Sequence, residues 1–369
     1  MRKAHETVLE IDLNALEHNY RFLKSQLRPE TKFLAVVKAF AYGSDAPRIA
    51  QKLETLGVDY FAVAYVSEGI ALRKAGITLP ILVLHPLPVH FESLIDNCLE
   101  PSLYSPKVLR DFLEVAQKKN QKNYPVHIKF NTGLNRLGFW ENDVDFITET
   151  LNEREEIKVV SIFSHLAASE DLKEAPFTYR QIEIFEKIAE EVTEKLKHAP
   201  FKHLLNTSGI INYRNAQYDM VRSGIGLYGF GNDRIVDADL RPVVTLKTVI
   251  SQIHKIEPGE TVGYNRAFTS TEYRKTATLP IGHADGIGRQ YGKGKTFVHV
   301  KGQLALIIGN VCMDMIMIDV TGIDCAAGDE VIIFGENPTA ESFAASANTI
   351  SYELLTGISQ RVKRQYMGR

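Results

Sequence analysis

The chain has 369 residues, of which 44% are hydrophobic and 24% are charged, a balance typical of a soluble globular protein. The formal net charge of -2 argues against the basic surface on which nucleic-acid binding depends. The length suits about two domains. Three cysteines, an odd number without close spacing, argue against a disulfide framework and favour a reducing compartment.

The N-terminal sequence lacks the apolar core of a signal peptide, and no later stretch reaches the apolar length of a membrane span. Together with the cysteine content, this predicts a cytoplasmic location. We expect neither a membrane nor a nucleic acid as a partner.

The first predicted element is a helix that Asp12 can cap, with leucines between Leu13 and Leu27 on one face. Short apolar runs then alternate with helical patterns such as residues 105–119 and 178–197. The runs begin near Phe33, Tyr60, Ile81, Pro101, Val126, Val159, His203 and Met220. This alternation predicts a (β/α)8 barrel over residues 1–239. A doubly wound open sheet is the alternative, because the same alternation produces both folds.

The pattern changes after Arg241-Pro242. Apolar runs become short and closely spaced, and turn signals such as Pro258-Gly259 separate them. Only residues 342–356 have a helical pattern. We therefore predict a second, mainly β domain over residues 240–369.

Lys38 is the first candidate functional residue, because it follows the apolar run at residues 33–37. Burial lowers the pKa of a lysine and makes its amine a usable nucleophile or proton acceptor. The alternative is a lysine whose flexible stem reaches solvent from the strand end.

Polar residues also follow the later strands, and the carboxyl ends of barrel strands are where active sites gather. These residues are Lys129 and Arg136, His165, Asn206, Thr207 and Ser208, and Arg222, Ser223 and Gly224. Cations converging on one face repel each other unless an anion or an electron-rich ligand lies between them. Hydroxyls and glycines after strands seven and eight suit a phosphate. A phosphate close to a nucleophilic lysine suggests pyridoxal phosphate as the cofactor.

Nine segments, in this order, resemble motifs of the alanine racemases. They are residues 37–43 (VKAFAYG), 129–138 (KFNTGLNRLG), 162–165 (IFSH), 206–209 (NTSG), 221–229 (VRSGIGLYG), 262–264 (VGY), 282–286 (GHADG), 311–314 (VCMD) and 350–353 (ISYE). The resemblance implies a pyridoxal-phosphate-dependent isomerase of L- and D-alanine that supplies D-alanine for peptidoglycan. It also implies a homodimer with active sites shared across the interface.

The resemblance assigns residue roles as well. Lys38 would hold the cofactor and act as the base for D-alanine, and Tyr264 would be the base for L-alanine on the opposite face. His165 and Arg222 would lower the pKa of Tyr264, and Arg222 would face the pyridine nitrogen, which disfavours a decarboxylase. The matched cofactor contacts are Lys38, Tyr42, His165, Asn206, Thr207, Ser208, Arg222, Gly224, Ile225 and Tyr352. Arg136 and the backbone of Met313 match substrate contacts, and no metal ion is expected.

The sequence departs from the family pattern at four positions. Asn131 replaces an aspartate beside Lys129, a lysine that is carboxylated in some members, and Ser223 replaces a proline. His283 and Asn310 replace a tyrosine and an arginine of the substrate entrance. A broad-specificity racemase of serine, lysine or arginine is therefore the alternative.

Two other functions, a dinucleotide-dependent oxidoreductase and a binding protein without turnover, fit the sequence less well. The GxGxxG pattern at residues 224–229 lies late in the chain and lacks an acidic partner at the distance that a dinucleotide site requires. A binding protein without turnover is disfavoured by the β domain that carries Tyr264.

Overall fold

The structure is a computed structural model that describes residues 4–152, 154–196, 198–231 and 238–368. By their contacts, the residues fall into two units. The barrel unit comprises residues 17–41 and 46–241. The β unit comprises the residues up to Leu16, Tyr42–Asp45 and the chain from Pro242 onwards.

The chain begins with strand β1 (Val8–Asp12) and helix α1 (Leu13–Ser25). Asp12 caps this helix as predicted, because its Oδ1 accepts hydrogen bonds from the N–H groups of Asn14 and Ala15 at 2.8 and 3.1 Å. Strand β1 itself pairs within the β unit.

Within the described residues, eight parallel strands close into a barrel. They are β2 (Lys32–Val36), β3 (Tyr60–Val63), β4 (Ile81–Val83), β5 (Glu100–Leu103), β6 (Tyr124–Lys129), β7 (Ile157–Phe163), β8 (Phe201–His203) and β9 (Met220–Ser223). Leu34 of β2 pairs with Arg222 of β9, which closes the ring. The barrel prediction is confirmed and the open sheet is excluded, because an open sheet keeps two edge strands.

Helices follow the barrel strands. They are α2 (Lys38–Gly43), α3 (Ala46–Leu56), α4 (Val66–Lys74), α5 (Phe91–Asp96), α6 (Pro106–Lys118), α7 (Val144–Asn152), α8 (Ala175–Lys195) and α9 (Thr207–Asn212). The helix predicted over 105–119 is α6, and the Ser105 hydroxyl accepts a hydrogen bond from the Val108 N–H as its cap. The helix predicted over 178–197 is α8; Lys197 lies outside the described residues.

The β unit is mainly β, as predicted. Its later strands are β10 (Val244–Val249), β11 (Gln252–Ile256), β12 (Thr261–Val262), β13 (Phe268–Thr269), β14 (Arg274–Leu279), β15 (Phe297–Val300), β16 (Gln303–Ile308), β17 (Ile316–Asp319), β18 (Glu330–Phe334) and β19 (Lys363–Met367). In its described residues, a nine-stranded sheet has the order β11-β14-β17-β16-β15-β18-β10-β1-β19. The helical pattern at 342–356 forms two short helices, α10 (Ala340–Ala345) and α11 (Ser351–Gly357).

In the part of the chain that the structure describes, no helix combines the length and the apolar character needed to cross a membrane. Cys98, Cys312 and Cys325 are free thiols.

Candidate functional site

Four cationic side chains gather at the carboxyl ends of the barrel strands: Lys38, Lys129, Arg136 and Arg222. Burial, and then the charge of Arg136, lower the pKa of Lys38. Burial lowers the pKa of Lys129 to about 8, and the other three cations contribute. Among the described residues, none of the four forms an ion pair with a carboxylate. This end of the barrel is therefore suited to an anion or an electron-rich ligand.

Lys38 is the first residue of a backbone turn with left-handed geometry. Residues 39–42 have φ angles between 52° and 55°, a region that L-residues with side chains rarely adopt. The Glu68 carboxylate holds the start of this turn: one oxygen accepts a hydrogen bond from the Ala39 N–H at 2.6 Å, and the other accepts one from the Ala64 N–H at 2.7 Å. Backbone strain of this kind persists where the surrounding structure imposes it, and it is common at functional sites.

Both terminal nitrogens of the Arg222 guanidinium donate hydrogen bonds that fix the group in place. Nη1 donates to the ring Nδ1 of His203 at 2.6 Å and to its carbonyl oxygen at 3.2 Å. Nη2 donates to the carbonyl oxygens of Ser164 and Leu204 at 2.7 and 2.9 Å, and lies 3.3 Å from Nδ1 of His165. No hydrogen bond within the described residues uses Nε. Arg222 can therefore present its Nε–H to a ligand in one fixed orientation.

The positive charge at this position belongs to Arg222 rather than to His165. Burial and then Arg136 lower the pKa of Arg222 to about 9, so the guanidinium stays charged at neutral pH. Burial and then Arg222 hold the pKa of His165 well below its ordinary value. His165 is therefore a neutral acceptor beside a cation.

Hydroxyl groups cluster after strands β8 and β9. Asn206 caps α9, since its Oδ1 accepts hydrogen bonds from the Gly209 N–H at 2.9 Å and the Ser169 hydroxyl at 2.7 Å. The hydroxyls of Thr207 and Ser223 lie 3.0 Å apart. Ser208 follows Thr207 in the sequence and is also buried. Gly224 directly precedes a 3-10 turn at Ile225–Tyr228. These residue types are ones that bind phosphate.

In the β unit, Tyr264 and Met313 line a common cavity of about 500 Å³. Its lining residues are Gly263, Tyr264, Thr278, Cys312, Met313, Asp314, Met315 and Met317. Tyr264 is 73% exposed and Met313 is 59% exposed. The Asn310 side-chain amide donates a hydrogen bond of 2.8 Å to the carbonyl oxygen of Tyr264. Asn310 thus supports the backbone of the candidate base.

Tyr42 and Tyr352 form a second pair in the β unit, with ring centroids 6.0 Å apart. Burial and then Tyr352 raise the pKa of Tyr42, so its phenol stays neutral and can donate a hydrogen bond. Gly43, which follows Tyr42, has a φ of 82°, and a Cβ at this position would lie 1.9 Å from the carbonyl oxygen of Leu355. A side chain at position 43 would therefore displace this part of the backbone.

Sequence patterns did not predict a role for Glu68, or for the buried Glu100, His127 and Ser161 of the barrel interior. Glu68 stands three residues after Tyr65, at the position of a helix-capping glutamate, and that spacing is a signal that could have identified it. His127 carried a weaker signal, because it is a polar residue within a predicted buried strand, and Glu100 directly precedes the run predicted to begin near Pro101.

Within the described ranges, no group of three or more histidine, cysteine, aspartate or glutamate residues could hold a metal ion.

Two family models match the chain. The model of the alanine racemase N-terminal domain matches residues 11–231, and the model of the alanine racemase C-terminal domain matches residues 243–366. An alanine racemase of Halothermothrix orenii is 37% identical over 376 residues, which cover 100% of this chain and 98% of that relative.

Solved structures agree with the family models. The alanine racemase of Clostridium difficile 630 in complex with cycloserine is 37% identical, with a TM-score of 0.90 over 99% of this chain and 96% of that one. The alanine racemase of Bartonella henselae with covalently bound pyridoxal phosphate is 30% identical, with a TM-score of 0.89 over 99% of this chain and 100% of that one.

Proposed function

This chain belongs to the alanine racemase family of pyridoxal-phosphate-dependent isomerases, and we propose that Lys38 and Tyr264 are the two bases with which it interconverts L-alanine and D-alanine. The observation that carries the proposal is the partly buried Lys38 amine, whose pKa is lowered at a cationic barrel end. A lysine whose pKa is lowered is a better nucleophile and base at neutral pH, so it can serve both as an attachment point and as a base.

The residues present fit the cofactor. Unpaired cations suit its negative charge, the Nε–H of Arg222 suits an acceptor nitrogen, and the hydroxyls of Thr207 and Ser208 suit a phosphate. Asn206, Gly224, Ile225, His165, Tyr42 and Tyr352 complete the proposed cofactor contacts. When bound, pyridoxal phosphate supplies an aldehyde for covalent attachment and a ring that withdraws electrons from the substrate Cα.

We assign one face of the substrate to each base. Racemisation requires that a proton leaves Cα on one side and returns on the other, so a single base is not enough. Lys38 takes or returns the proton of D-alanine, and the Tyr264 hydroxyl takes or returns that of L-alanine. Arg136 binds the substrate carboxylate, and the Met313 backbone contacts the substrate.

Arg222 also bears on the type of reaction. A fixed cation at the pyridine nitrogen opposes protonation of the ring and so weakens its electron withdrawal. This favours a simple proton transfer over reactions that need strong withdrawal, such as decarboxylation.

Borohydride reduction followed by peptide mass mapping tests the assignment of Lys38. We expect the pyridoxyl group on Lys38 and no racemisation by Lys38→Ala. Lys158→Ala, which removes an exposed lysine of β7, is the control and should retain full activity. A pyridoxyl group on another lysine would contradict the assignment.

We propose further that the active enzyme is a homodimer in which Tyr264 of each copy serves the barrel of the other. The high exposure of Tyr264 and Met313 supports this, because exposed apolar side chains around a cavity mark an interaction surface.

A mixture of Lys38→Ala and Tyr264→Phe chains tests the shared site. In a mixed dimer, one site would carry both defects and the other would carry neither. After random exchange of subunits, about a quarter of wild-type activity should return. If Tyr264 acted on its own chain, the mixture would stay inactive.

We take alanine as the substrate, since the relatives are alanine racemases and the Clostridium difficile relative binds cycloserine. Optical assays with L-alanine, L-serine, L-lysine and L-arginine test this choice. Comparable kcat/KM values for lysine or arginine would favour a broad-specificity enzyme instead.

We propose that D-alanine made here serves peptidoglycan synthesis in the cytoplasm, with residues 1–239 as the cofactor-binding domain and residues 240–369 as the domain that supplies Tyr264. Three free thiols suit a reducing compartment. Expression should restore growth of a bacterium that requires D-alanine, and Lys38→Ala should not. Failure of the wild-type chain to restore growth would contradict this role.

A further inference from the structure

Five side chains cross the interior of the barrel in one continuous series of hydrogen bonds, one from each of the strands β5 to β9. Glu100 Oε2 lies 2.7 Å from Nε2 of His127, and His127 Nδ1 lies 2.6 Å from the Ser161 hydroxyl. The hydroxyl lies 2.8 Å from Nε2 of His203, whose Nδ1 lies 2.6 Å from Nη1 of Arg222. His127, Ser161 and His203 are completely buried. We call this series the barrel relay.

The direction of every hydrogen bond in the relay follows from Arg222, because a guanidinium only donates. His203 Nδ1 must therefore accept, which places the proton of this neutral ring on Nε2. That Nε2–H donates to the Ser161 oxygen, and the hydroxyl donates its own proton to Nδ1 of His127. The proton of His127 is then on Nε2 and donates to Glu100, whose carboxylate only accepts.

Other proton arrangements leave a buried group without a partner. If His127 carried a proton on Nδ1, Ser161 would receive two donors and its own proton would have no acceptor in the relay. If the hydroxyl turned toward His203 instead, His203 would carry its proton on Nδ1, directly facing a donor of Arg222. An unpaired buried donor is unfavourable, since no water replaces the lost hydrogen bond.

The charge environment agrees with this arrangement. Burial, then Arg222, then His127 hold the pKa of His203 well below its ordinary value, so its ring is neutral. Successive donors polarise one another, so a carboxylate at the far end makes His203 a better acceptor for Arg222.

We infer that Glu100 is a positioning residue for the racemase reaction: it ends the barrel relay, accepts the Nε2–H of His127 and, by polarising the hydrogen bonds of the relay, strengthens the one with which His203 holds Arg222 and directs its Nε–H at the ligand. Glu100 itself touches neither substrate nor cofactor in this assignment. What Arg222 faces rests on the proposed function, whereas the proton arrangement rests on the barrel geometry alone.

Glu100→Met tests the inference, because methionine keeps the length of the side chain and removes the acceptor. The matched control is Ser102→Ala, two residues further along β5, which removes a buried hydroxyl that has no hydrogen-bond partner in the described chain. Nitrogen NMR of the full-length protein, labelled with 15N in its histidine rings, reports the tautomer of each ring. Signals are assigned by their loss in His127→Gln and His203→Gln.

We expect Nε2–H signals for both histidines in the wild type and in Ser102→Ala. In Glu100→Met we expect His127 to change to Nδ1–H, since its Nε2–H has lost its acceptor, whereas His203 keeps its proton on Nε2 because Arg222 still donates to its Nδ1. A wild-type His203 that carries its proton on Nδ1 would overturn the inference, even if Glu100→Met does not fold. An unchanged His127 tautomer in a folded Glu100→Met would also overturn it.

Kinetics separate the inference from the proposed function. Glu100→Met should lower kcat for alanine by roughly 10- to 100-fold, since a small displacement of an orienting group is costly. KM should stay within about twofold, because Glu100 does not contact the substrate. If the wild type shows the expected tautomers but no racemisation, the proposed function fails and the relay stands. If racemisation is normal in Glu100→Met, the positioning role fails and the proposed function stands.

Discussion

The side-chain amide of Asn310 donates a hydrogen bond of 2.8 Å to the carbonyl oxygen of Tyr264. The contact lies at the start of a tight backbone segment. Asn265 and Arg266, which directly follow the tyrosine, have positive φ angles of 58° and 48°. Asn310 is 7% exposed, so solvent cannot readily replace the bond. Asn310 therefore orients the backbone of the candidate base.

Replacing this amide tests its role. Asn310→Asp keeps the shape but directs a carboxylate oxygen at the Tyr264 carbonyl, so the two acceptors repel. We expect kcat to fall about tenfold. The free energy of unfolding should fall by about 1–3 kcal/mol. Gln303→Glu, the same change at an exposed position of β16, is the control and should alter neither quantity. An unchanged kcat in Asn310→Asp would refute the orienting role.

Removal of the Tyr264 hydroxyl should show which enantiomer each of the two proposed bases serves. We expect Tyr264→Phe to lower racemisation in both directions by roughly 10²- to 10⁴-fold. In D2O, D-alanine should still exchange its Cα proton through Lys38, whereas L-alanine should not. Mass spectrometry of the recovered amino acid measures both exchanges. Tyr273→Phe removes an exposed hydroxyl of the same unit and should change nothing. Equal exchange of both enantiomers would exclude Tyr264 as the second base.

The lowered pKa of Lys129 predicts a pH-dependent cost to stability. Below about pH 8 the Lys129 amine is charged in the folded and in the unfolded protein. Burying the charged amine then lowers the free energy of unfolding by about 3 kcal/mol, which corresponds to the shift of its pKa from 10.5 to about 8. Between about pH 8 and pH 10.5 the unfolded chain binds more protons than the folded protein, so the free energy of unfolding rises with pH.

Lys129→Met should therefore stabilise the protein at pH 7, and the gain should shrink as the pH rises toward 10. Urea unfolding at several pH values measures the difference. Lys158→Met replaces an exposed lysine of the neighbouring strand and should give a small difference that does not vary with pH. A gain from Lys129→Met that is equally independent of pH would contradict the prediction.

A buried ion pair should stabilise the β unit. Lys247 is completely buried, and its Nζ lies 2.9 Å from Glu10 and 3.5 Å from Glu330. Lys247→Met should lower the free energy of unfolding by about 3–5 kcal/mol, because it leaves the buried Glu10 carboxylate without its cation. Lys363→Met breaks an exposed pair with Glu6 and should cost about 0–1 kcal/mol. Circular dichroism during urea unfolding compares the two, and similar losses would contradict the prediction.

Much of the fold was predictable because its signals are local. Apolar runs and helical spacing depend on neighbouring residues, and they located seven of the eight described barrel strands, whereas the run from His203 meets β8 only at its last residue. A barrel brings the ends of its strands to one face, so the positions of Lys38, Lys129 and Arg222 followed from the strand order. The exact starts and ends of helices, as at α8, depend on capping contacts and were less accurate.

The supporting residues of the site were not predictable in the same way. Glu68 acts on the backbone at Ala39, and Asn310 acts on the backbone at Tyr264, and neither pair is close in sequence. A residue's type says what hydrogen bonds it can form, but the partner depends on which backbone group the fold brings within 3 Å.

The sequence alone therefore determined which side chains could do chemistry and roughly where each would stand, since strand order and residue type are written along the chain. The lowered pKa of Lys38, the neutral state of His165 and the orientation of the barrel relay emerged only from the folded barrel. These properties depend on desolvation and on hydrogen bonds between strands, and both arise when side chains distant in sequence are enclosed together. The relay from Glu100 to Arg222 spans five strands, and no segment of the chain contains it.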